Sequence, residues 1–188
     1  MAELLLFHHA LGLTEGCLAF AEELRSAGHV VHTPDLYEGR LFEEIDDGVR
    51  HAESVGFETI IKRGVRAAEG LPEGLVYGGF SLGVLPAQLL AQTRAGAAGA
   101  LLLYGAEPAS QFGTPWPAEV PLQVHAMDAD PWVELDHVNE LIAAAPRGEL
   151  FLYRGERHLF ADRSHRDYDE AAAALMTGRV LAFLGSSG

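Results

Sequence analysis

One doubly wound α/β domain is the fold this sequence predicts: a mostly parallel sheet of about six or seven strands, with helices on both faces. Three observations carry that reading. Short, almost unbroken apolar runs recur at residues 4–8, 30–33, 75–79, 100–104, 122–126 and 150–153. Stretches with helical periodicity lie between them, at 16–27, 42–70 (in one or two pieces), 82–94, 131–145 and 167–184. The 188 residues, 48% apolar and 21% charged, suffice for one substantial core. A strand buried on both faces has no polar side, so it reads as a continuous apolar run. Strand alternating with helix then builds βαβ units and a parallel sheet. No repeat, low-complexity segment or linker divides the chain, so the domain is expected to span 1–188.

Taken in order, the first run ends in His8-His9 and continues into Ala10-Leu11-Gly12. Neighbours on a strand point to opposite faces, so the two imidazoles cannot easily chelate one ion, and no H-E-x-x-H or acid cluster adds ligands. No metal or cofactor is expected. Cys17 falls on the apolar side of the first helix and reads as core. As the single cysteine it forms no internal disulfide, which suits a reducing compartment. The opening MAELLLFHHALG has an acid at Glu3 and no basic region, so no secretory leader is read there. No apolar run reaches the roughly 18 residues a membrane span needs. A cytoplasmic location is expected. The second run leads into TPDLYEGR, and the fourth into the proline-rich irregular loop EPASQFGTPWPAEVP. Residues 185–188 read as a flexible tail.

The third run leads into YGGFSLGVLP, and this stretch raises the functional question. In open parallel sheets ligands bind at the carboxyl ends of the strands. G-F-S-L-G matches G-x-S-x-G, in which a sharp strand-to-helix turn exposes a serine hydroxyl above the sheet. Flanking glycines suit such a turn because a Cβ there would meet neighbouring backbone. The N–H of Leu82, in the first helical turn, is placed to stabilise an oxyanion. A phosphate-binding turn is the alternative. G-x-G-x-x-G is broken by the Gly78-Gly79-Phe80-Ser81 spacing, and a P-loop lysine is missing.

A nucleophilic serine needs a base, and the base needs an orienting acid, in the chain order Ser, acid, His. The fifth run leads into HAMDADPWV, where Asp128 and Asp130 both qualify. Asp130 also reads as a helix N-cap with Pro131 in the first helical position. The sixth run leads into RGERHLF, whose His158 directly follows a strand. His137 falls in a helical pattern and His165 in a polar turn. Trp116 and Trp132, flanking the fifth run, can line a pocket or cover the core. The formal net charge of −14 repels phosphate backbones, so the expected partner is a small molecule and not nucleic acid or membrane. The sequence is compatible with a monomer or a homodimer.

With Ser81, Asp130 and His158 in place, the chain resembles the dienelactone hydrolase family of α/β-hydrolases. TPDLYEGR, YGGFSLG, HAMDADPWV and RHLFADRSHRDYDEAAAALMTGRVLAFL carry the resemblance over most of the length. It aligns the acid with Asp130 and implies a nearly capless hydrolase opening esters or lactones without a cofactor. It also implies Ala10 as the second oxyanion donor. His9, Leu11, Tyr37, Trp132 and Phe160 are the expected pocket residues. The family's namesakes use cysteine where this chain has Ser81. They have a glutamate where His9 stands and an arginine where Asp162 stands. A strongly anionic substrate is therefore not expected. The rival reading is a non-catalytic binding module that keeps the fold; acyl transfer to an acceptor other than water is also open.

Overall fold

Each of the six apolar runs is a strand in the computed structural model, which describes residues 1–186. They are β1 (Glu3–Phe7), β2 (Val30–His32), β3 (Val76–Phe80), β4 (Gly99–Leu103), β5 (Leu122–Met127) and β6 (Gly148–Tyr153). All neighbours pair in parallel, in the order β2-β1-β3-β4-β5-β6. The period of two sends alternate side chains to two separate cores. Leu5, Phe7, Tyr77, Leu102 and Val124 pack with residues of α2 (Ile45–Val55), α3 (Phe57–Ala67), α4 (Val84–Thr93) and α5 (Leu135–Ala144). Leu4, Leu6, Val76, Leu101 and Met127 pack with residues of α1 (Glu15–Ser26) and α6 (Glu170–Ser186). Among the described residues, no helix is long and apolar enough to cross a membrane.

Local chemistry sets the helix limits. The Thr14 hydroxyl caps α1 by accepting the Cys17 N–H at 3.2 Å, and Glu15 complements the helix dipole in the first turn. The stretch 42–70 divides at Gly56, whose φ of 88° ends α2 and admits α3. Pro86 sits in the first turn of α4, where its missing N–H would be unpaired in any case. Two expectations are corrected. The helix after β5 begins at Leu135, with Glu134 in the N-cap position making no side-chain cap bond, and not at Pro131. Asp130 Oδ1 instead accepts the Trp132 N–H at 2.9 Å, a local turn that competes with helix initiation. Gly185 and Ser186 belong to α6 and not to a tail; the remaining expected tail residues, 187 and 188, lie outside the described residues.

Strand β1 lies between β2 and β3, so the chain winds away in opposite directions from β1 and β3. Their carboxyl ends border a crevice at this switch point, the usual ligand position in such sheets. Phe7 pairs opposite Gly79, which brings the loop after β1 beside the turn holding Ser81.

Candidate active site

Ser81 has a φ of 48°, a left-handed conformation uncommon for a residue with a side chain. It follows the extended Phe80 and opens a short 3-10 turn, Ser81–Gly83, that runs into α4. The turn is tight enough to require both glycines. A Cβ on Gly79 would lie 2.1 Å from the Gly83 carbonyl oxygen, and one on Gly83 would lie 2.6 Å from the Phe7 carbonyl oxygen. The backbone thus folds onto itself and onto β1, leaving the serine hydroxyl above the sheet.

His158, in the loop after β6, meets that hydroxyl. Its Nε2 lies 2.7 Å from Ser81 Oγ, and its Nδ1 lies 2.6 Å from Asp130 Oδ2. The imidazole and the carboxylate are both buried, while Ser81 is partly open. With Nδ1–H donating to the carboxylate, Nε2 is free to accept the serine proton. The second Asp130 oxygen takes the Trp132 N–H, which fixes the carboxylate plane. Asp128 does a different job. Exposed, it accepts the Gly155 N–H at 2.9 Å and ties the end of β5 to the loop after β6.

Two aromatic rings flank His158. Tyr104 lies 5.7 Å away and Trp132 6.1 Å away, centroid to centroid. Tyr104 holds a φ of 72°, and its hydroxyl accepts the Ala161 N–H at 3.1 Å, anchoring the histidine loop from β4. Burial pushes its phenol well above the usual range, so it stays neutral.

A cavity of about 260 Å³ opens beside Ser81. Ala10 and Leu82, the two expected oxyanion donors, line it together with Ser81. Val49, Ala52, Val84 and Leu85 form an apolar wall, and Glu107, Glu134 and Trp132 also face it. Of the five expected pocket side chains, Trp132 alone lines this space. His9 turns to the opposite face of the sheet, beside Phe80, because strand alternation sends His8 and His9 apart. Tyr37 is buried against His8 and Phe42, with its hydroxyl donating to the Gly48 carbonyl at 3.2 Å. Phe160 packs on Tyr104 and Tyr153. Leu11 faces a separate surface cleft with Phe42 and Arg166.

On the α1 and α6 side, a network centred on the buried His9 and Asp162 joins the loop after β1 to the loop after His158. Asp162 Oδ2 accepts His9 Nε2–H at 2.8 Å and the Thr14 hydroxyl at 2.6 Å. Its Oδ1 accepts the Ser164 N–H at 2.8 Å and the Ser164 hydroxyl at 2.5 Å. The His9 proton sits on Nε2, since Nδ1 accepts the Leu11 N–H at 3.3 Å. Burial alone would raise the Asp162 carboxyl; the donors from His9, Ser164 and Thr14 outweigh it and hold the group below the usual carboxylate range. His9, Cys17 and Asp162 are the described residues whose donor atoms cluster closely enough to hold a metal ion. A cation there would have to displace the four hydrogen bonds that already saturate the carboxylate.

The sequence pattern of the dienelactone hydrolase family matches residues 3–187. The chain belongs to the dienelactone hydrolase family. Solved structures agree on the fold. A dienelactone hydrolase-like promiscuous phosphotriesterase from metagenomic libraries superposes with a TM-score of 0.77 at 17% identity, covering 99% of this chain and 86% of that one. A candidate dienelactone hydrolase from Klebsiella pneumoniae subsp. pneumoniae gives 0.76 at 19%, covering 98% and 87%. Mouse alpha/beta hydrolase domain-containing protein 10 gives 0.75 at 12%, covering 99% and 90%. No curated protein sequence matches the chain closely enough to count as a relative.

Within this dienelactone hydrolase family member, the His9 and Asp162 positions that depart from the namesakes' residues are bonded to each other. Neither lines the cavity. The residues missed by sequence reasoning are Tyr104, Glu107 and Glu134. Tyr104 closes an apolar run as any core residue would, and the glutamates sit in connections whose course a sequence pattern leaves open. The Tyr-Gly step at 104–105 is the one local signal of a turn there.

Proposed function

We propose that the chain is a serine hydrolase that cleaves a small carboxylic ester or lactone through an acyl-enzyme on Ser81. Membership of a hydrolase family supports the reaction class, and a small-molecule substrate follows from it. One observation carries the finer reading: His158 bridges Ser81 Oγ and Asp130 Oδ2 through its two ring nitrogens. In this reading Ser81 Oγ attacks the carbonyl carbon as His158 Nε2 takes its proton. Asp130 holds the ring and balances the imidazolium charge. The N–H groups of Ala10 and Leu82 hold the oxyanion; each such donor is worth about 2.7–4 kcal/mol of barrier. His158 returns the proton to the leaving oxygen. Water, activated by the same imidazole, then releases the acid.

The test is labelling by a fluorophosphonate, read by peptide mass. Label on the peptide bearing Ser81, abolished by Ser81→Ala, is the expected result. Equal labelling of Ser81→Ala would sink the assignment. Absence of turnover across short p-nitrophenyl esters and lactones, together with tight reversible ligand binding, would favour a binding module instead.

A further inference from the structure

We infer that the Ser81 cavity is selective for substrates carrying a cationic nitrogen and discriminates against those carrying a carboxylate, with Glu107 as the specificity-determining residue. This rests on the serine-hydrolase reading above and adds a substrate class to it.

Among the described residues, the charged ones that line the cavity are Glu107 and Glu134, with no lysine or arginine beside them. A carboxylate on the substrate would meet like charge at the rim, and a cation would meet opposite charge. Glu107 is held there by design of its surroundings. Gln88, fully buried on the helix that follows Ser81, clamps its backbone twice: Nε2–H donates to the Glu107 carbonyl at 2.7 Å, and Oε1 accepts the Glu107 N–H at 3.0 Å. Gln92, also buried, fixes the rest of that loop through the Ala109 and Thr114 carbonyls. The Glu107 carboxylate lies 3.2 Å from His137 Nδ1 and remains partly open to solvent.

Trp132 supplies the second half of the argument. The residue is 45% exposed, lines the same cavity and holds its ring beside His158. An open indole face attracts a quaternary or primary ammonium, and adjacent carboxylates reinforce that attraction. The opposite wall, Val49, Ala52, Val84 and Leu85, accepts an apolar segment. The fitting substrate is therefore a small ester or lactone with an apolar portion and an ammonium group a few bonds from the carbonyl. The net charge of −14 adds long-range attraction for the same sign of ligand.

The experiment compares three p-nitrophenyl esters: 4-(trimethylammonio)butyrate, its neutral carbon isostere 5,5-dimethylhexanoate, and the glutarate monoester. The ammonium ester should exceed its isostere in kcat/KM by about two- to thirtyfold at low ionic strength, the range two partly exposed charge pairs supply. The glutarate should fall below the isostere. Glu107→Gln should lower the cation-to-isostere ratio several-fold, and 0.5 M salt should compress it. A ratio at or below one in the parent protein overturns the inference. So does a ratio unchanged by Glu107→Gln, whatever Glu134→Gln does. Ser81→Ala is run in parallel. If it hydrolyses the esters as well as the parent does, the hydrolase reading fails; if it is inactive and the charge order is flat, only the selectivity fails. Should the parent turn over none of the esters, labelling rates with a trimethylammonium-bearing fluorophosphonate and its tert-butyl isostere decide the same ratio.

Discussion

Replacing Asp162 with alanine removes one carboxylate and unties two loops. Four donors lose their acceptor: His9 Nε2–H, the Thr14 hydroxyl, and the N–H and hydroxyl of Ser164. Ser164 is exposed and Thr14 partly so, and water replaces the acceptor for both at small cost. His9 is different, because it is buried and has no route to solvent. A stranded buried donor costs about 1–3 kcal/mol, and loss of bonds to a charged group adds about 1.5–3 more. The expected destabilisation is therefore about 2.5–6 kcal/mol. For a domain of this length that lowers Tm by about 5–24 °C. The carboxyl is held below its usual range, so the contribution is complete above about pH 5 and is lost as pH falls through the acid range. Function should respond too. The network joins the loop of Ala10 to the loop of His158, so kcat should fall more than KM rises. Asp162→Asn cannot rescue it, because an amide nitrogen in either position faces two donors. Thermal melts and ester kinetics at pH 7.5 read both effects. A Tm within 2 °C of the parent for Asp162→Ala, or parental kinetics for Asp162→Asn, would refute the reasoning.

Three further outcomes are expected. Gly79→Ala places a Cβ 2.1 Å from the Gly83 carbonyl oxygen and should cost more than about 3 kcal/mol, whereas Gly178→Ala, with open space around it, should be neutral or stabilising by up to about 1 kcal/mol in urea titrations. Asp130→Asn should lower kcat by about 10³–10⁴-fold and Asp128→Asn by less than about tenfold; the reverse order would transfer the orienting role to Asp128. Burial keeps His8 neutral by lowering it to about 4, and burial with Arg179 lowers His125 to about 3. Both groups protonate in the unfolded chain below about pH 6.5 but not in the folded one. Stability is therefore complete above that pH and falls by about 3 kcal/mol per histidine on the way to pH 4. His125→Phe should reduce that acid loss by about 3 kcal/mol in urea midpoints taken at pH 7 and pH 4, and an unchanged loss would contradict the assignment.

The proposed triad is legible in the sequence because each member directly follows an apolar run, and strand ends are where such sheets place their ligands. Ser81 carries the added mark of two glycines that the turn demands. The start of the helix after β5 is not legible. Asp130-Pro131 has the chemistry of a cap, yet its carboxylate bonds the Trp132 N–H and delays the helix to Leu135. Strand alternation separates His8 from His9, but it does not say that both turn away from the cavity, His8 to Leu36 and Tyr37 and His9 to Asp162. The bond between His9 and Asp162 spans 153 residues and leaves no trace in local pattern. The cavity wall is hidden for a related reason: Val49 and Leu85 come from helices whose rotation against the sheet is set by packing.

The serine and the histidine it meets are separated by 77 positions, and three different strands deliver the three proposed catalytic groups. A ribosome therefore completes the nucleophile turn long before it makes the base. During that interval the growing chain presents a hydroxyl of ordinary reactivity, and no fragment ending before residue 158 can acylate itself. The edge strand β6, paired with β5 alone, must dock before His158 can reach Ser81. On the proposed mechanism, reactivity toward a serine-directed probe appears only once β6 has docked. Followed during synthesis or refolding, it would report completion of the sheet and nothing earlier.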